Sequence, residues 1–235
     1  MPRRKNVIRW LGGRHDDGLL LSSLLLLPSL GNYFVPRRSV RIIEDEIYVP
    51  GSRDRKHQLD LYLPTVQARP WPVVVFIHGG CWRPMDRRLL QPLTGLHGCV
   101  GVALANRGVA TAVVGYRQAK KSVTIIDALD DVTRAVRHVV DHIGREGGDA
   151  QRLFIVGHSA GGFLATFLAL EPAYLARVGL SPAQVRGFGS LAGVYDLRRT
   201  VAGLGPRLAQ KVRRSAGGRE GLQRYSPERL FHAEH

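Results

Sequence analysis

The sequence predicts an α/β domain built on a mostly parallel sheet. Short apolar runs that fit buried strands alternate with longer stretches whose apolar residues have helical spacing. Strands separated by helices pair in parallel, because each helix crosses the sheet and returns the chain to the same end. The length of 235 residues suits one such domain.

The first predicted strands form a hairpin, and the next strand lies at the centre of the sheet. Apolar and polar residues alternate over 39–49 and 57–64, as in antiparallel strands. The run WPVVVFIHGG at 71–80 is continuously apolar, which is typical of a parallel strand buried on both faces. A helix is then expected over 87–107 and a second buried strand over 109–117.

Helical spacing follows the second buried strand. Apolar residues recur at intervals of three or four through 124–143. A third central strand is expected at 152–157, a helix at 160–170 and a fourth strand at 185–193. The pattern contains no internal repeat and no long linker, so we expect one continuous domain.

The segment LFIVGHSAGG at 153–162 has the layout of an activated serine. Ser159 lies between an apolar strand and an apolar helix, with Gly157 and Gly161 two positions to either side. A sharp strand-to-helix turn needs small residues there, because larger side chains would clash with the neighbouring strand and helix. Ser159 is therefore the candidate nucleophile. The N–H of Ala160, at the start of the helix, is a candidate oxyanion donor.

A second motif, FIHGGCW at 76–82, follows the central strand. Gly79 and Gly80 allow the loop to turn backbone N–H groups into the site, so they are expected to complete an oxyanion hole. His78 is expected to brace this loop rather than to act as a base. Trp82 is expected to pack over the pocket, with ordinary core packing as the alternative.

Together these motifs resemble the α/β-hydrolase superfamily, and within it the esterases with an HGGxW loop. The similar groups are hormone-sensitive-lipase-like enzymes, the kynurenine formamidase and feruloyl-esterase-like group, and isoprenylcysteine methylesterases. The resemblance extends over about 40–230 and also includes LDLYLP at 59–64, GYR at 115–117, LAGVYDL at 191–197 and YSPERL at 225–230. It implies a three-layer fold and hydrolysis of small-molecule carboxylic esters or related amides through an acyl-enzyme on the serine. No metal and no organic cofactor are implied.

The resemblance supplies no catalytic acid or base in this sequence. Such enzymes place the acid and then the histidine after the nucleophile, each behind a further strand. Here 76 residues follow Ser159. We therefore expect a hydrolase domain at 39–235 without its C-terminal strands and with an uncovered apolar sheet edge. A catalytically inactive binding module or non-functional fragment is the alternative to a working esterase.

Other polar residues are weaker candidates for the missing acid and base. Asp196 follows the strand after the nucleophile, where an aspartate is expected to be structural. His158 neighbours the serine, and its side chain is expected to point away from the hydroxyl. His232 and His235 lie in the final four residues, where chains fray.

No metal site is expected. Cys81 and Cys99 have no CxxC partner. His138 and His142 lie one turn apart on a helix, as metal ligands do, but no third ligand accompanies them. We expect a pair of surface histidines.

The net charge of +15 is concentrated at the two ends of the chain. The first fourteen residues carry +5 and residues 198–235 carry +6, whereas 15–197 carry +4. Neither end combines a basic face with aromatic or base-reading groups, so no nucleic-acid partner is expected. Contact with an anionic membrane surface is the alternative to solvated tails.

Residues 1–38 are expected to form a leader or tail outside the domain. The apolar run at 18–31 is shorter than the roughly 20 residues that span a membrane. Basic residues before it fit a signal segment or an anchor, whereas Asp16 and Asp17 argue against one. The sequence leaves open a cytoplasmic, exported or membrane-associated protein, and it indicates no oligomeric state.

Overall fold

A computed structural model describes residues 39–80, 85–88, 96–118 and 122–231. Within them six strands form one sheet: β1 (Val40–Ile47), β2 (Gln58–Pro64), β3 (Trp71–Ile77), β4 (Ala110–Val114), β5 (Gly148–His158) and β6 (Val185–Leu191). Their spatial order is β1-β2-β4-β3-β5-β6. The four strands β3 to β6 are parallel, whereas β2 is antiparallel to both β1 and β4. The predicted mostly parallel α/β fold is confirmed.

Eight α-helices accompany these strands in the described part of the chain. They are α1 (Gly98–Ala105), α2 (Ile125–Glu146), α3 (Ala160–Leu170), α4 (Ala173–Ala176), α5 (Leu197–Ala202), α6 (Pro206–Ser215), α7 (Arg219–Arg224) and α8 (Pro227–Phe231). The helices α2 and α3 match the sequence prediction. The short helices after β6 were not predicted, because each is only one to three turns long and carries little periodic signal.

The helix predicted over 87–107 is wrong at its start. Helix α1 begins at Gly98, and residues 85–88 form a non-helical turn. The physical reason is that Arg87 and Arg88 fold back onto acidic residues of the β1–β2 hairpin, which holds the backbone away from a helix.

The main core lies between the sheet and the helices α2 and α3. Inward-facing strand residues such as Leu61, Val75, Leu153 and Ile155 are almost completely buried there. Helix α2 has well-defined ends. Thr124 and Asp127 form a reciprocal capping box at its start, and left-handed Gly147 ends it.

The opposite face of the sheet is covered by α1 over its middle strands, where Tyr62, Phe76 and Val113 are buried. Beyond α1, Phe154 on β5 is 36% exposed, and Leu191 at the end of β6 is 55% exposed. Strand β6 pairs only with β5 among the described strands. The described sheet is therefore open at β6, as the sequence predicts.

Several sequence predictions concern residues outside the described ranges. These are the leader at 1–38, the pocket residue Trp82, the thiol of Cys81, and the terminal histidines His232 and His235. None of the helices in the described ranges combines the length and apolar character needed to cross a membrane.

An ion pair between a buried carboxylate and a partly exposed guanidinium joins the end of β4 to α2. Asp131 on α2 is 1% exposed and accepts hydrogen bonds from Arg117 at Nε (2.8 Å), Nη2 (2.7 Å) and the backbone N–H (2.9 Å). His57 Nε2 lies 3.2 Å from the same carboxylate. A buried carboxylate or guanidinium that loses its partner is strongly destabilising, so this corner of the fold depends on the pair.

Replacing Asp131 with alanine is expected to lower the free energy of unfolding by about 1 to 3 kcal/mol, because Arg117 would lose three hydrogen bonds and keep only its ion pair with Asp127. Asp130→Ala is the matched control. That carboxylate is 39% exposed and lies 3.5 Å from Arg177, so its loss should cost less than about 1 kcal/mol. Urea unfolding followed by circular dichroism measures both values. Similar losses in the two variants would contradict the prediction.

Candidate active site

Ser159 lies in the turn between β5 and α3. Its φ of 54° and ψ of −115° are unusual for a residue with a side chain, and such conformations cost about 1–3 kcal/mol. The Ser159 N–H donates to the Leu191 carbonyl at 2.8 Å, and the Ser159 carbonyl accepts from the Phe163 N–H at 3.0 Å. The turn is therefore held by the end of β6 on one side and by α3 on the other.

Close backbone packing explains the two glycines around the serine. A Cβ on Gly157 would overlap the carbonyl oxygen of Gly161, and a Cβ on Gly161 would overlap the carbonyl oxygen of Ile77 at the end of β3. Both oxygens belong to backbone inside regular elements, so neither can move away as a flexible side chain can. Helix α3 can approach β3 this closely only because both positions are glycine.

The segment His78-Gly79-Gly80 after β3, called the HGG loop below, brings Gly79 against the serine. A Cβ on Gly79 would lie 2.9 Å from the His158 carbonyl oxygen and 3.0 Å from Ser159 Cβ. Gly80 follows and is half-buried. Ala160 is the first residue of α3, so its N–H has no acceptor within the helix. The structure thus places Gly79 and the start of α3 next to Ser159, and the role of Gly79, Gly80 and Ala160 as oxyanion donors stays a prediction.

His78 is fully buried at the start of this loop. Its Nδ1 lies 2.7 Å from the Gly79 carbonyl oxygen, so Nδ1 carries the hydrogen and donates it. Its ring stacks on His97 with 4.6 Å between the centroids, and the Tyr116 hydroxyl donates to its carbonyl at 2.8 Å. Burial, together with the neighbouring His97, lowers the pKa of His78 to about 3. The imidazole is therefore neutral near neutral pH.

Two residues that contact the HGG loop and the segment after it were not identified from the sequence. One follows β4, and the other lies just before α1. His97 stacks on His78. Gln118 accepts a hydrogen bond from the Met85 N–H, and its Nε2 would lie 3.2 Å from a Cβ on Gly80. The GYR motif after β4 was the available signal for these contacts, because the carboxyl ends of neighbouring parallel strands share one edge of the sheet.

A second buried acid anchors the segment that follows the HGG loop. Asp60 on β2 is completely buried and accepts from Arg88 at Nε (2.9 Å) and Nη2 (2.7 Å). Arg87 Nε lies 3.1 Å from the same carboxylate, and the Asp45 N–H donates to it at 2.9 Å. The LDLYLP motif therefore contributes the acid that holds this segment to the hairpin.

The structure does not bring a histidine to the Ser159 hydroxyl in the ranges that it describes. No hydrogen bond joins that hydroxyl to a described histidine. The neighbouring His158 is exposed. Asp196 caps α5, where its carboxylate accepts from the Arg198 N–H at 2.8 Å and the Arg199 N–H at 3.0 Å. Asp196 thus has a structural role, as expected for this position.

His138 and His142 stack on each other on α2, with 4.2 Å between their ring centroids. His142 Nδ1 lies 2.8 Å from the His138 carbonyl oxygen, and His138 Nε2 lies 3.6 Å from Glu46. Among the described residues, no group of three or more His, Cys, Asp or Glu side chains could hold a metal ion.

The sheet order, the serine turn and the adjacent glycine loop define an α/β hydrolase. Solved structures agree with this class. Esterase B from Lactobacillus rhamnosis superposes with a TM-score of 0.69, covering 90% of this chain and 68% of that chain. The sequence identity of 21% means that this likeness concerns the fold alone.

The model of the BD-FAE family matches residues 59–176, half of the chain, and the chain belongs to that family. It is similar to a probable isoprenylcysteine alpha-carbonyl methylesterase of Oryza sativa subsp. japonica, with 29% identity covering 94% of this chain and 52% of that protein. It is also similar to a kynurenine formamidase of Salmo salar, with 28% identity covering 63% and 46% respectively. The chain spans about half the length of the curated relatives it matches. The predicted resemblance to this esterase group is confirmed.

Stability is expected to fall in acid because of the buried histidines. Since the pKa of His78 is lowered to about 3, the unfolded chain takes up a proton near pH 6.5 that the folded chain does not accept. The free energy of unfolding should therefore decrease from about pH 6.5 to about pH 3, by up to about 1.4 kcal/mol per pH unit for this group. Burial also lowers the pKa of His97, so this histidine contributes to the same loss of stability in acid.

The His78→Gln variant tests this assignment. Its unfolding free energy should depend less steeply on pH than that of the wild type when urea midpoints are compared between about pH 7 and about pH 5. The same slope in both proteins would show that His78 does not control acid stability.

The close packing at Gly161, the glycine two residues after Ser159, can also be tested. Gly161→Ala should lower stability by several kcal/mol, because the new Cβ overlaps backbone that cannot move without shifting α3. Gly144→Ala, at an exposed position of helix α2 with open space at its Cβ, should instead raise stability by up to about 1 kcal/mol. Thermal unfolding separates the two outcomes, and a harmless Gly161→Ala change would contradict the packing argument.

Proposed function

We propose that this chain is a serine hydrolase of small-molecule carboxylic esters or related amides, with Ser159 as its nucleophile. The observation that carries the proposal is the turn at Ser159. A strained residue with a side chain is held at the N-terminus of α3, directly against Gly79. Membership of the BD-FAE family supports the proposal, as do relatives whose names include a methylesterase and a formamidase.

In the proposed reaction Ser159 Oγ bonds to the carbonyl carbon of the ester, and the hydroxyl proton passes to a base. The carbonyl oxygen becomes an oxyanion, which accepts hydrogen bonds from the N–H groups of Ala160 and the Gly79–Gly80 loop. Each such donor lowers the barrier by roughly 3 kcal/mol in comparable sites. The positive end of the α3 dipole acts in the same direction.

The oxyanion then collapses and expels the alcohol, which takes up a proton and leaves an acyl group on Ser159. Water adds to the acyl carbon in a second cycle of the same kind. The carbon–oxygen bond to serine breaks, the carboxylic acid leaves and the serine hydroxyl is restored. The same oxyanion donors serve both halves of the reaction.

His78 and Tyr116 act as positioning residues in this proposal. Both are buried and bind the backbone of the HGG loop rather than the serine. Their hydrogen bonds fix the direction of the loop carbonyls, which also fixes the direction of the neighbouring N–H groups. Preorganised donors are effective because they need no reorganisation when the oxyanion forms.

The alternative function is a catalytically inactive hydrolase-like protein that binds a ligand. The observation that favours it is that the described part of the chain brings no histidine to the Ser159 hydroxyl. Loss of the base in well-studied triads lowers turnover by about 10⁶, and the remaining groups retain about 10³ to 10⁴ over the uncatalysed reaction. The two functions therefore differ in whether Ser159 reacts.

Labelling of the purified 235-residue chain with a fluorophosphonate probe distinguishes them. We expect the wild type to be labelled and Ser159→Ala to remain unlabelled. Ser181→Ala is the matched control. Ser181 is exposed and caps the short turn before β6, so its replacement should not affect labelling. A folded wild-type chain that does not react would contradict the hydrolase proposal and support a binding protein.

A further inference from the structure

A narrow pocket adjoins the proposed oxyanion site. Ala160 and Gln118 line it, and these residues flank the serine and Gly80 respectively. The remaining lining is mainly apolar and comes from the first turn of α2 and the first two turns of α3, including Ile125, Ala128, Phe163 and Leu164. An ester carbonyl held at the Ala160 N–H would therefore have one of its substituents at this pocket.

Most of the polar side chains that line the pocket are already engaged with other parts of the protein, and Ser215 adds a neutral hydroxyl. Arg117 is held by the carboxylate of Asp131. The Thr124 hydroxyl belongs to the capping box with Asp127, and Gln118 accepts from a backbone N–H. A charged substituent would be desolvated here without a partner, so the pocket suits a neutral apolar group.

The pocket is also small. Its free volume is about 30 Å³, whereas one water-sized group needs about 10–15 Å³ by this measure. It has room for about two or three such groups, which corresponds to about two or three carbons beyond the carbonyl carbon. A longer chain would extend beyond this volume.

We propose that this pocket binds the acyl group of the substrate and selects short, uncharged acyl chains of up to about four carbons. This inference rests on the proposed role of Ser159. It assigns specificity to the contact between α2 and α3, with Ala128 and Leu164 as the residues that limit chain length.

Three p-nitrophenyl alkylphosphonates carrying a methyl, propyl or heptyl group test the inference. In each, Ser159 Oγ forms a bond to phosphorus, the bond from phosphorus to nitrophenolate breaks, and the serine proton is released. The rate of nitrophenolate release and the mass of the protein are measured. We expect similar rates for the methyl and propyl compounds and a heptyl rate that is at least about tenfold lower.

Two pocket variants should shift this preference in opposite directions. Ala128→Leu fills the pocket and should lower the propyl rate relative to the methyl rate by about tenfold. Leu164→Ala enlarges the pocket and should raise the heptyl rate relative to the methyl rate. Ala176→Leu, on the exposed side of α4, is the matched control and should keep the wild-type ratios. Because rates are compared within one protein, partial unfolding of a variant cancels from each ratio.

The outcomes separate this inference from the proposed function. Labelling of Ser159 at equal rates by all three compounds would overturn the pocket assignment and leave the hydrolase proposal in place. An Ala128→Leu variant that slows the methyl and propyl compounds equally would also overturn it. Failure of the folded wild type to react with any of the three compounds would overturn both.

Discussion

The candidate site depends on one steric constraint, the close approach of the first turn of α3 to the end of β3. Gly157 and Gly161 have no side chains, so the backbone of the turn can pack directly against the carbonyl of Ile77. This contact leaves Ser159 in a conformation that costs about 1–3 kcal/mol. Burial of the apolar residues of α3 against the sheet offsets that cost. The same approach brings Gly79 beside the serine.

Buried acids hold the segments around the site without touching it. Asp131 fixes the segment after β4 through Arg117, and Asp60 fixes the segment after the HGG loop through Arg87 and Arg88. Each carboxylate is almost completely removed from water, so the loss of a partner would destabilise the fold. The loops that carry Gln118 and Met85 are therefore attached to rigid elements of the sheet and of α2.

The HGG loop combines apolar burial with a small set of directed hydrogen bonds. His78 is neutral, donates to the carbonyl of the following glycine and accepts a hydrogen bond at its own carbonyl from Tyr116. Such contacts orient backbone groups without placing a charge near the proposed oxyanion. In the adjoining pocket the charged side chain of Arg117 is already paired with Asp131. The proposed hydrolase function therefore implies a neutral substrate whose negative charge develops only during reaction.

The sequence by itself determined the α/β class, the central strands, helices α2 and α3, and the grouping of Ser159 with Gly79 and Ala160. These features follow from local patterns, namely periodic burial and glycines at a strand-to-helix turn. Tertiary structure alone decided the late start of α1, the short helices after β6, and the contacts of Asp60 and Gln118 with the loop. Those contacts join residues that are far apart in the chain. From the sequence alone each side chain could pair with several others, and only the order of the strands decides which of them it meets.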